Sequence, residues 1–306
     1  NSIFALHPMY LRPEAVGRLE NDEKREYFDG IRKELNDLAE IDYERVNNTK
    51  HEYLRLVFAQ DFSNTAQTGE YKKFIAANEY WLLPWAVWSV LRDEYHTPDN
   101  NNWPVLSSYN EDEVRAYADK HREKVDYYFF MQYHLDRQLR EARDYANRYG
   151  VVLKGDIPIG VSRFSADAWT NPRLFNMDCQ AGAPPDDFSV LGQNWGLPTY
   201  NWDVMAEDGF QWWKERFRKM SEYCDAYRID HILGFFRIWQ IPLNAVHGLL
   251  GYFNPALPMS ADELRNSYDF WVNPDVQCRP LILEWMLGDF FGEYMEEAKA
   301  EFLYHV

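Results

Sequence analysis

Apolar side chains recur at three- and four-residue steps along most of the chain before position 150, and this spacing predicts long helices. The clearest case runs from Val125 to Tyr149, where Gly150 supplies a C-terminal stop. The predicted buried face of this helix consists of Tyr128, Met131, Leu135, Leu139, Ala142 and Ala146. One side of the helix should therefore pack against the rest of the fold.

Two short apolar runs, each ending in an acid, follow predicted helices directly. Residues 151–156 come after Gly150, and Ala226 to Asp230 comes after a helix that Asp208 can cap. The apolar stripe of that second helix consists of Phe210, Trp213, Phe217, Met220 and Cys224. A helix followed by a buried parallel strand is half of a βα repeat, so the pattern predicts an α/β barrel with its chemistry at the carboxyl ends of the strands. A doubly wound sheet is the competing fold, although the sequence contains neither G-x-G-x-x-G nor a P-loop.

The strand-like segments are too few to close eight strands, so the predicted fold class is α/β, a partial (β/α)8 TIM barrel with a large helical insertion. Residues 1–12 would start the barrel after a missing first strand, and residues 13–124 would form the helical insertion. Residues 125–306 would supply βα units of a barrel that is incomplete at its C-terminus. Residues 160–202 are rich in Pro, Gly, Asn and Asp and too long for an ordinary connection, which predicts an active-site loop.

The charge of the chain restricts the possible partners. A formal net charge of -17 repels phosphate backbones and anionic lipid, so neither nucleic acid nor a membrane surface is an expected partner. Aromatic residues make up 17% of the chain, and their flat apolar faces with polar edges suit sugar rings. Most aromatic residues are core residues in any protein, so composition only favours a sugar ligand over a charged one.

Cysteine usage and hydropathy indicate a cytoplasmic protein. Cys179, Cys224 and Cys278 are widely spaced and form no C-x-x-C pair, so they are predicted to be reduced, buried thiols. No apolar run approaches the roughly 18 residues of a membrane span, and the first residues lack the features of a signal peptide. The absence of an initiator Met suggests that the chain was cut from something longer.

The second strand carries the candidate chemistry. The strand period of two places Arg228 and Asp230 on one face, with Tyr227 and Ile229 on the other, so the arginine can contact the carboxylate. A guanidinium favours the ionised form of a neighbouring carboxylate and fixes its orientation, as a carboxylate nucleophile requires. An ordinary ion pair at a strand end is the structural alternative.

A second acid is expected at the same edge, because Asp156 ends the preceding strand. Converging acids could bind a metal, but His231 is the only nearby histidine and no D-x-D-x-D-G spacing is present. Acids together with aromatic residues favour glycoside chemistry, in which a pair of carboxyl groups acts on a neutral substrate. Neither a cofactor nor a metal is expected.

Several blocks in this region resemble one family in order and spacing. They are GDIPI at 155–159, SADAW at 165–169, AGAPPD at 181–186, GQNWG at 192–196 and RIDH at 228–231. With these blocks the sequence is similar to the amylomaltase family of 4-α-glucanotransferases (disproportionating enzymes), glycoside hydrolase family 77. Its flanks look more like the cytosolic, maltose-using type than the compact bacterial amylomaltases.

The resemblance implies a role for each matching residue. Asp230 would be the nucleophile that forms a covalent β-glucosyl intermediate, and Arg228 would orient it. Substrate-binding roles fall to Asp156 and His231, which would hold sugar hydroxyls, and to Asp186, Phe188 and Trp195, which would line the acceptor side. For Phe188 and Trp195 simple loop packing is the alternative.

The implied reaction is transfer of α-1,4-glucosyl units from maltose or maltooligosaccharides to a glucan or glucose acceptor, with retention of configuration. A retaining α-glucan hydrolase and a non-catalytic glucan-binding protein are the alternatives. The acid/base glutamate and the second essential aspartate of the family match nothing here and are expected in the remainder of the parent chain. The fragment would then be inactive alone.

Overall fold

The computed structural model describes residues 2–273 and 284–303. The chain divides into two compact units, Asn1–Pro255 and Ala256–Val306. Each of the first four helices begins after a residue whose side chain accepts a backbone N–H three residues on, as N-caps do. The helices of the first unit are α1 (Asp22–Asn36), α2 (Tyr43–Thr65), α3 (Gly69–Tyr95), α4 (Glu111–Lys120), α5 (Arg122–Arg148), α6 (Ala166–Thr170), α7 (Trp202–Glu207) and α8 (Gln211–Ser221).

The long helices enclose an aromatic core. Leu82 and Trp88 of α3 and Phe130 of α5 are buried, and the Trp85 and Tyr128 rings meet edge to face at 5.6 Å. Such packing, rather than helix propensity alone, stabilises a bundle of this kind. The predicted helical character of the first half of the chain is confirmed.

The helix predicted from Val125 to Tyr149 is α5, which spans Arg122–Arg148 and is followed by Gly150 at φ 74°. Its predicted buried face is confirmed only in the first half of the helix. Residues 125–136 are all buried because α2, α3 and α4 surround them, whereas Leu139 is half-buried and Ala142 is exposed beyond the bundle.

Within the described residues the strands form three small sheets. The strands are β1 (Lys154–Ile157), β2 (Phe175–Asn176), β3 (Cys179–Ala183), β4 (Gln193–Asn194), β5 (Thr199–Tyr200), β6 (Ala226–Ile229), β7 (Ile238–Pro242) and β8 (Tyr252–Asn254). β1 pairs with β6 in parallel, β2 pairs with β5, and a four-stranded antiparallel sheet has the order β4-β3-β7-β8. The predicted long loop 160–202 therefore contains α6 and β2 to β5.

The two predicted helix-to-strand units are confirmed as α5–β1 and α8–β6, and their strands are parallel. The prediction that residues 151–156 form a buried strand is wrong in two respects. Val151 and Val152 precede the strand and are exposed, and within β1 only Ile157 is buried. Ala226, Tyr227 and Arg228 of the paired strand β6 are exposed as well. The physical reason is that β1 and β6 pair only with each other in the described chain, so one face and both edges lack cover.

The position of β6 is set by the helix before it, α8, through the way that helix starts and the way it is attached to the helical bundle. The predicted role of Asp208 is confirmed only in part: its carboxylate accepts the Gln211 N–H at 2.9 Å, but the N-cap position of α8 is occupied by Phe210, at φ 64°, so Asp208 lies two residues before it. Near the other end, the buried Lys219 ammonium donates to Glu222 at 2.8 Å and to Asn78 of α3 at 3.1 Å. Because a buried charge is stable only when its hydrogen bonds are satisfied, these contacts fix α8 against the helices.

Asp167, a buried carboxylate in α6, holds the first residues of the chain. It accepts the Ser2 hydroxyl at 3.2 Å and the Ile3 N–H at 3.0 Å. Burial raises the pKa of Asp167 to about 6. Phe4, next in sequence, stacks on Trp81 of α3, so the first residues of the chain contact both α6 and α3.

Two cysteines lie in the described chain as free thiols. Cys179 is buried, as predicted, while Cys224 is only half-buried, and Cys278 lies outside the described residues. Within residues 2–273 and 284–303, no helix is both long enough and apolar enough to cross a membrane.

In the part of the second unit that the structure describes, the helices are α9 (Ala261–Tyr268), α10 (Glu284–Phe291) and α11 (Met295–Phe302). The Ser260 hydroxyl caps α9 by accepting the Glu263 N–H at 3.1 Å. α10 and α11 are linked by an ion pair between Lys299 and Glu284 at 2.6 Å.

His134 of α5 is buried between the rings of Phe130 and Tyr133, and neither ring nitrogen has a hydrogen-bond partner among the residues that the structure describes. Burial and, secondly, the positive charge of Arg137 lower its pKa to about 3. An unfolded histidine titrates near pH 6.5. The unfolded chain therefore binds a proton that the folded chain excludes, so stability is full above about pH 6.5 and falls as the pH drops below it.

We expect His134→Leu to reduce the loss of stability between pH 7 and pH 4.5, because it removes up to about 1.4 kcal/mol per pH unit of proton-linked destabilisation. Thermal unfolding across this range measures the effect. Asp167 has a raised pKa and therefore contributes stability that increases as the pH falls, but this contribution is the same in His134→Leu and in the parent. His247→Gln, at an exposed position, is the control. Parallel pH profiles for His134→Leu and the parent would contradict the expectation.

Candidate active site

Arg228 bridges two carboxylates at the carboxyl ends of β1 and β6. In the parallel register Asp156 lies opposite Arg228, and the Asp230 N–H donates to the Ile157 carbonyl at 3.0 Å. The Arg228 Nη1 lies 3.0 Å from Asp156 Oδ2, and its Nη2 lies 2.6 Å from Asp230 Oδ1. Two predictions are thereby confirmed: the arginine contacts Asp230, and neighbouring strands bring two acids to one edge.

These three side chains are open to solvent. Asp156 is 57% exposed, Arg228 56% and Asp230 41%. Ion pairs at such exposure contribute roughly 0–1 kcal/mol to folding, so stability alone is a weak reason for this arrangement. One guanidinium holds two carboxylates at fixed positions, leaving one net negative charge and free carboxylate oxygens that can bind hydroxyl groups or attack an electrophilic carbon.

His231 follows Asp230 in the left-handed region, with φ 49°. Its ring meets the indole of Trp195 edge to face, with centroids 5.0 Å apart. Gly234 closes the turn, because its N–H donates to the His231 carbonyl at 2.8 Å and a Cβ at this position would lie 2.7 Å from His231 Cδ2. His231 is therefore held beside the carboxylates by a ring on one side and a close turn on the other.

The loop residues are placed differently from one another. Trp195 directly follows β4 and reaches His231, so the structure brings these two predicted residues together. Asp186 instead accepts the N–H groups of Phe188 and Ser189 within its own turn, at 3.0 and 2.7 Å. Phe188 is 98% exposed. In the described part of the chain neither Asp186 nor Phe188 makes a hydrogen bond or ring contact with Asp230 or His231.

The sequence reasoning missed two residues that position the site. The Arg163 guanidinium donates to the carbonyls of Met177 and Cys179, which ties the segment after β1 to β3. Gly182 in β3 lies so close to β4 that a Cβ would be 2.0 Å from the Gln193 carbonyl oxygen. The glycine in the AGAPPD block could have indicated a close approach of the backbone, whereas no local sequence pattern indicates the role of Arg163.

The described residues contain no group of three or more His, Cys, Asp or Glu side chains arranged to hold a metal ion. The side chains at the site are two carboxylates, a guanidinium, an imidazole and an indole. This set suits binding of a neutral polyhydroxylated ligand and attack by a carboxylate.

Comparison with known proteins gives a consistent result. The family model described as 4-alpha-glucanotransferase, glycoside hydrolase family 77, matches residues 1–298. The 4-alpha-glucanotransferase DPE2 of Oryza sativa subsp. japonica is 40% identical over 307 residues, which is 99% of this chain and 32% of the rice protein. The 4-alpha-glucanotransferase of Chlamydia pneumoniae is 31% identical over 245 residues, 78% of this chain and 45% of that protein.

Solved structures show a similar α/β fold. The amylomaltase from Streptococcus agalactiae in complex with acarbose superposes with a TM-score of 0.71 at 25% identity, covering 87% of this chain and 55% of that one. The amylomaltase from Corynebacterium glutamicum, at 22% identity, gives a TM-score of 0.66 over 82% of this chain and 35% of that one. The chain spans 32% and 45% of the lengths of the rice and Chlamydia proteins.

Proposed function

The chain belongs to the 4-α-glucanotransferases of glycoside hydrolase family 77, and on this premise we propose that its parent protein transfers α-1,4-glucosyl units. The donor is maltose or a maltooligosaccharide, and the acceptor is a glucan or glucose. The observation that carries the proposal is the Arg228 guanidinium bound to both Asp230 and Asp156 beside His231.

In the proposed mechanism Asp230 is the nucleophile. Its carboxylate attacks the anomeric carbon, the bond to the leaving glycosidic oxygen breaks, and that oxygen takes a proton from a general acid. An acceptor hydroxyl then displaces Asp230 and returns its proton to the same group, so two inversions retain the configuration. Arg228 aims Asp230 at the sugar through its charge-assisted hydrogen bond to the carboxylate.

The other predicted residues bind substrate in this mechanism. Asp156 and His231 hold hydroxyls of the sugar that is attacked, and Trp195 offers a ring face to the acceptor. Asp186 and Phe188 belong to the acceptor side as well, and the exposure of Phe188 leaves its ring available to a glucan.

We assign the general acid and the second essential aspartate to parts of the parent protein outside this chain. In a retaining enzyme the acid stands about 5–5.5 Å from the nucleophile. Asp156 is assigned to substrate binding instead, because its carboxylate accepts a hydrogen bond from Arg228 at 3.0 Å and shares that guanidinium with Asp230.

We propose that β1 and β6 are neighbouring strands of a (β/α)8 barrel. Residues 1–12 start the barrel segment, residues 13–124 are the helical insertion, and residues 125–306 carry the βα units with the loop 160–202. Supporting this, β1 and β6 are parallel, each follows a helix, and both end at the candidate site. The remainder of the parent chain would cover the sheet edges.

A cytoplasmic location fits the free thiols of Cys179 and Cys224, because thiols persist in reducing compartments. The net charge of -17 makes neutral glucans better partners than nucleic acid or anionic membranes.

Product analysis of the full-length protein tests the proposed function. Mass spectrometry of maltotriose digests, and of maltose with glycogen, should reveal longer oligomers and extended glycogen. Shorter products alone would identify a retaining hydrolase instead. Glucan binding without turnover would identify a binding protein and reduce Asp230 to a structural ion pair.

We expect Trp195→Ala to shift products from transfer towards hydrolysis several-fold, because loss of the indole weakens acceptor binding and admits water. The ratio of free glucose to longer oligomers from maltotriose measures the shift. Trp271→Ala, at an exposed indole of the second unit, is the matched control. An unchanged ratio in Trp195→Ala would remove Trp195 from the acceptor side.

A further inference from the structure

A cavity of about 380 Å³, separate from the site around Asp230, lies between α1, α2 and the segment just before α1. Small-molecule sites typically measure roughly 300–1,000 Å³, so its size suits a small ligand. None of its lining residues belongs to the site around Asp230. The residues that decide its chemistry are Arg18, Arg25, Phe28, Arg32, Lys50 and Tyr53, together with the acids Glu14 and Asp29.

The floor of this cavity is aromatic. Phe28 of α1 and Tyr53 of α2 are buried, and their rings meet edge to face at 5.2 Å. The Tyr53 hydroxyl donates to the Gly17 carbonyl at 2.9 Å, which fixes the ring against the segment before α1. A ligand in the cavity therefore meets two rigid ring surfaces.

Some of the charges in the cavity neutralise one another. The Arg32 guanidinium pairs with both acids of the lining, with Glu14 at 2.9 Å and with Asp29 at 3.0 Å. Arg25 pairs with Asp22, which is outside the cavity, and donates to the Glu20 carbonyl at 2.9 Å. Both acids are thus satisfied without the remaining cations.

Two cations of the lining have no carboxylate partner. The half-buried Lys50 ammonium donates to the Met9 carbonyl, and no carboxylate lies within 4 Å of it anywhere in residues 2–273 and 284–303. Burial lowers the pKa of Lys50, and the negative charge of Glu14 offsets this effect only in part. Arg18 makes no ion pair in the same described ranges. This excess of positive charge is unusual in a chain with a net charge of -17, and an anionic group would compensate it.

We propose that this cavity binds a small organic phosphate that carries a ring. Its phosphate lies between Arg18 and Lys50, because guanidinium and ammonium groups form charge-assisted hydrogen bonds to phosphate oxygens. Its ring lies against Phe28 and Tyr53. The proposal does not depend on glucosyl transfer.

Isothermal titration calorimetry on the full-length protein tests the proposal, with glucose 6-phosphate and adenosine 5'-monophosphate as ring-bearing probes and inorganic phosphate and glucose for comparison. At least one organic phosphate should bind tenfold or more tightly than inorganic phosphate and glucose. Arg18→Gln and Lys50→Gln should each weaken that binding at least tenfold, whereas Lys50→Arg should retain most of it. Saturating maltose should leave it unchanged.

Lys33→Gln is the matched control, since it removes a positive charge from α1 next to Arg32 but outside the cavity lining. Circular dichroism verifies that each variant is folded, and the exposed position of Arg18 makes its substitution the safer of the two. The proposal would be overturned if inorganic phosphate bound as tightly as the organic phosphates, or if maltose competed with them. Equal losses of affinity in Arg18→Gln and Lys33→Gln would overturn it too. Absence of binding by both organic phosphates would overturn it as well.

Discussion

Replacement of Asp230 by Asn in the full-length protein is expected to lower kcat for glucosyl transfer by roughly a thousandfold or more, which corresponds to about 4 kcal/mol of transition-state stabilisation. Asparagine keeps the size of the side chain and can still accept a hydrogen bond from Arg228, so local structure should be preserved. An amide does not form the covalent glucosyl ester, so the first displacement fails. Single-turnover assays with maltotriose measure the loss.

The same variant should still bind maltooligosaccharide with near-unchanged affinity, because Asp156, His231 and Trp195 remain in place. Calorimetry with a slowly cleaved oligosaccharide therefore separates loss of chemistry from loss of binding. Asp112→Asn, at an exposed position of α4, is the control for loss of one carboxylate charge. If Asp230→Asn retained more than a tenth of the parent activity, Asp230 would not be the nucleophile.

Gly182→Ala is expected to destabilise the first unit by about 3 kcal/mol or more. A Cβ here would lie 2.0 Å from the Gln193 carbonyl oxygen and 2.6 Å from Ile241 Cδ1. The nearer atom is backbone, so only separation of β3 from β4 relieves the clash. Because Trp195 follows β4, that separation would also move the indole from His231. Thermal unfolding measures the first effect, and oligosaccharide affinity the second.

Gly30→Ala provides the comparison for this prediction. Gly30 lies within α1, and a Cβ there would meet no atom within 4 Å. Alanine has the better helix propensity, so this variant should be unchanged or stabilised by about 0.5–1 kcal/mol. Similar melting temperatures for Gly182→Ala and Gly30→Ala would show that β3 and β4 can separate at little cost.

Features that depend on local periodicity were accessible from the sequence. The period of two in a strand is sufficient to place Arg228 beside Asp230, and the observed distance of 2.6 Å agrees with it. The first half of the stripe in α5 and the hydrogen bond from Gln211 to Asp208 likewise depend on residues within a few positions of one another.

Features that depend on distant partners were not accessible. Val151 and Val152, just before β1, are exposed because little packs over this part of the chain. The residues of β1 do not themselves encode what packs over them. The contact between Trp195 and His231, and the clash that excludes a side chain at Gly182, arise only when separate segments meet. The sequence therefore did not predict the burial of a segment that is covered by residues distant in the chain. It predicted contacts only between residues that are close in sequence.

The carboxylate of Asp167 also sets an order of events during synthesis. Its hydrogen bonds to Ser2 and Ile3 span 165 and 164 positions. At roughly 5–20 residues per second, a ribosome needs about 8–33 s to make that interval. During this time the helices between them can pack and Phe4 can stack on Trp81 of α3. The hydrogen bonds of Ser2 and Ile3 to Asp167 are thus a late step of co-translational folding, which completes the attachment of a segment that the bundle already holds at Phe4.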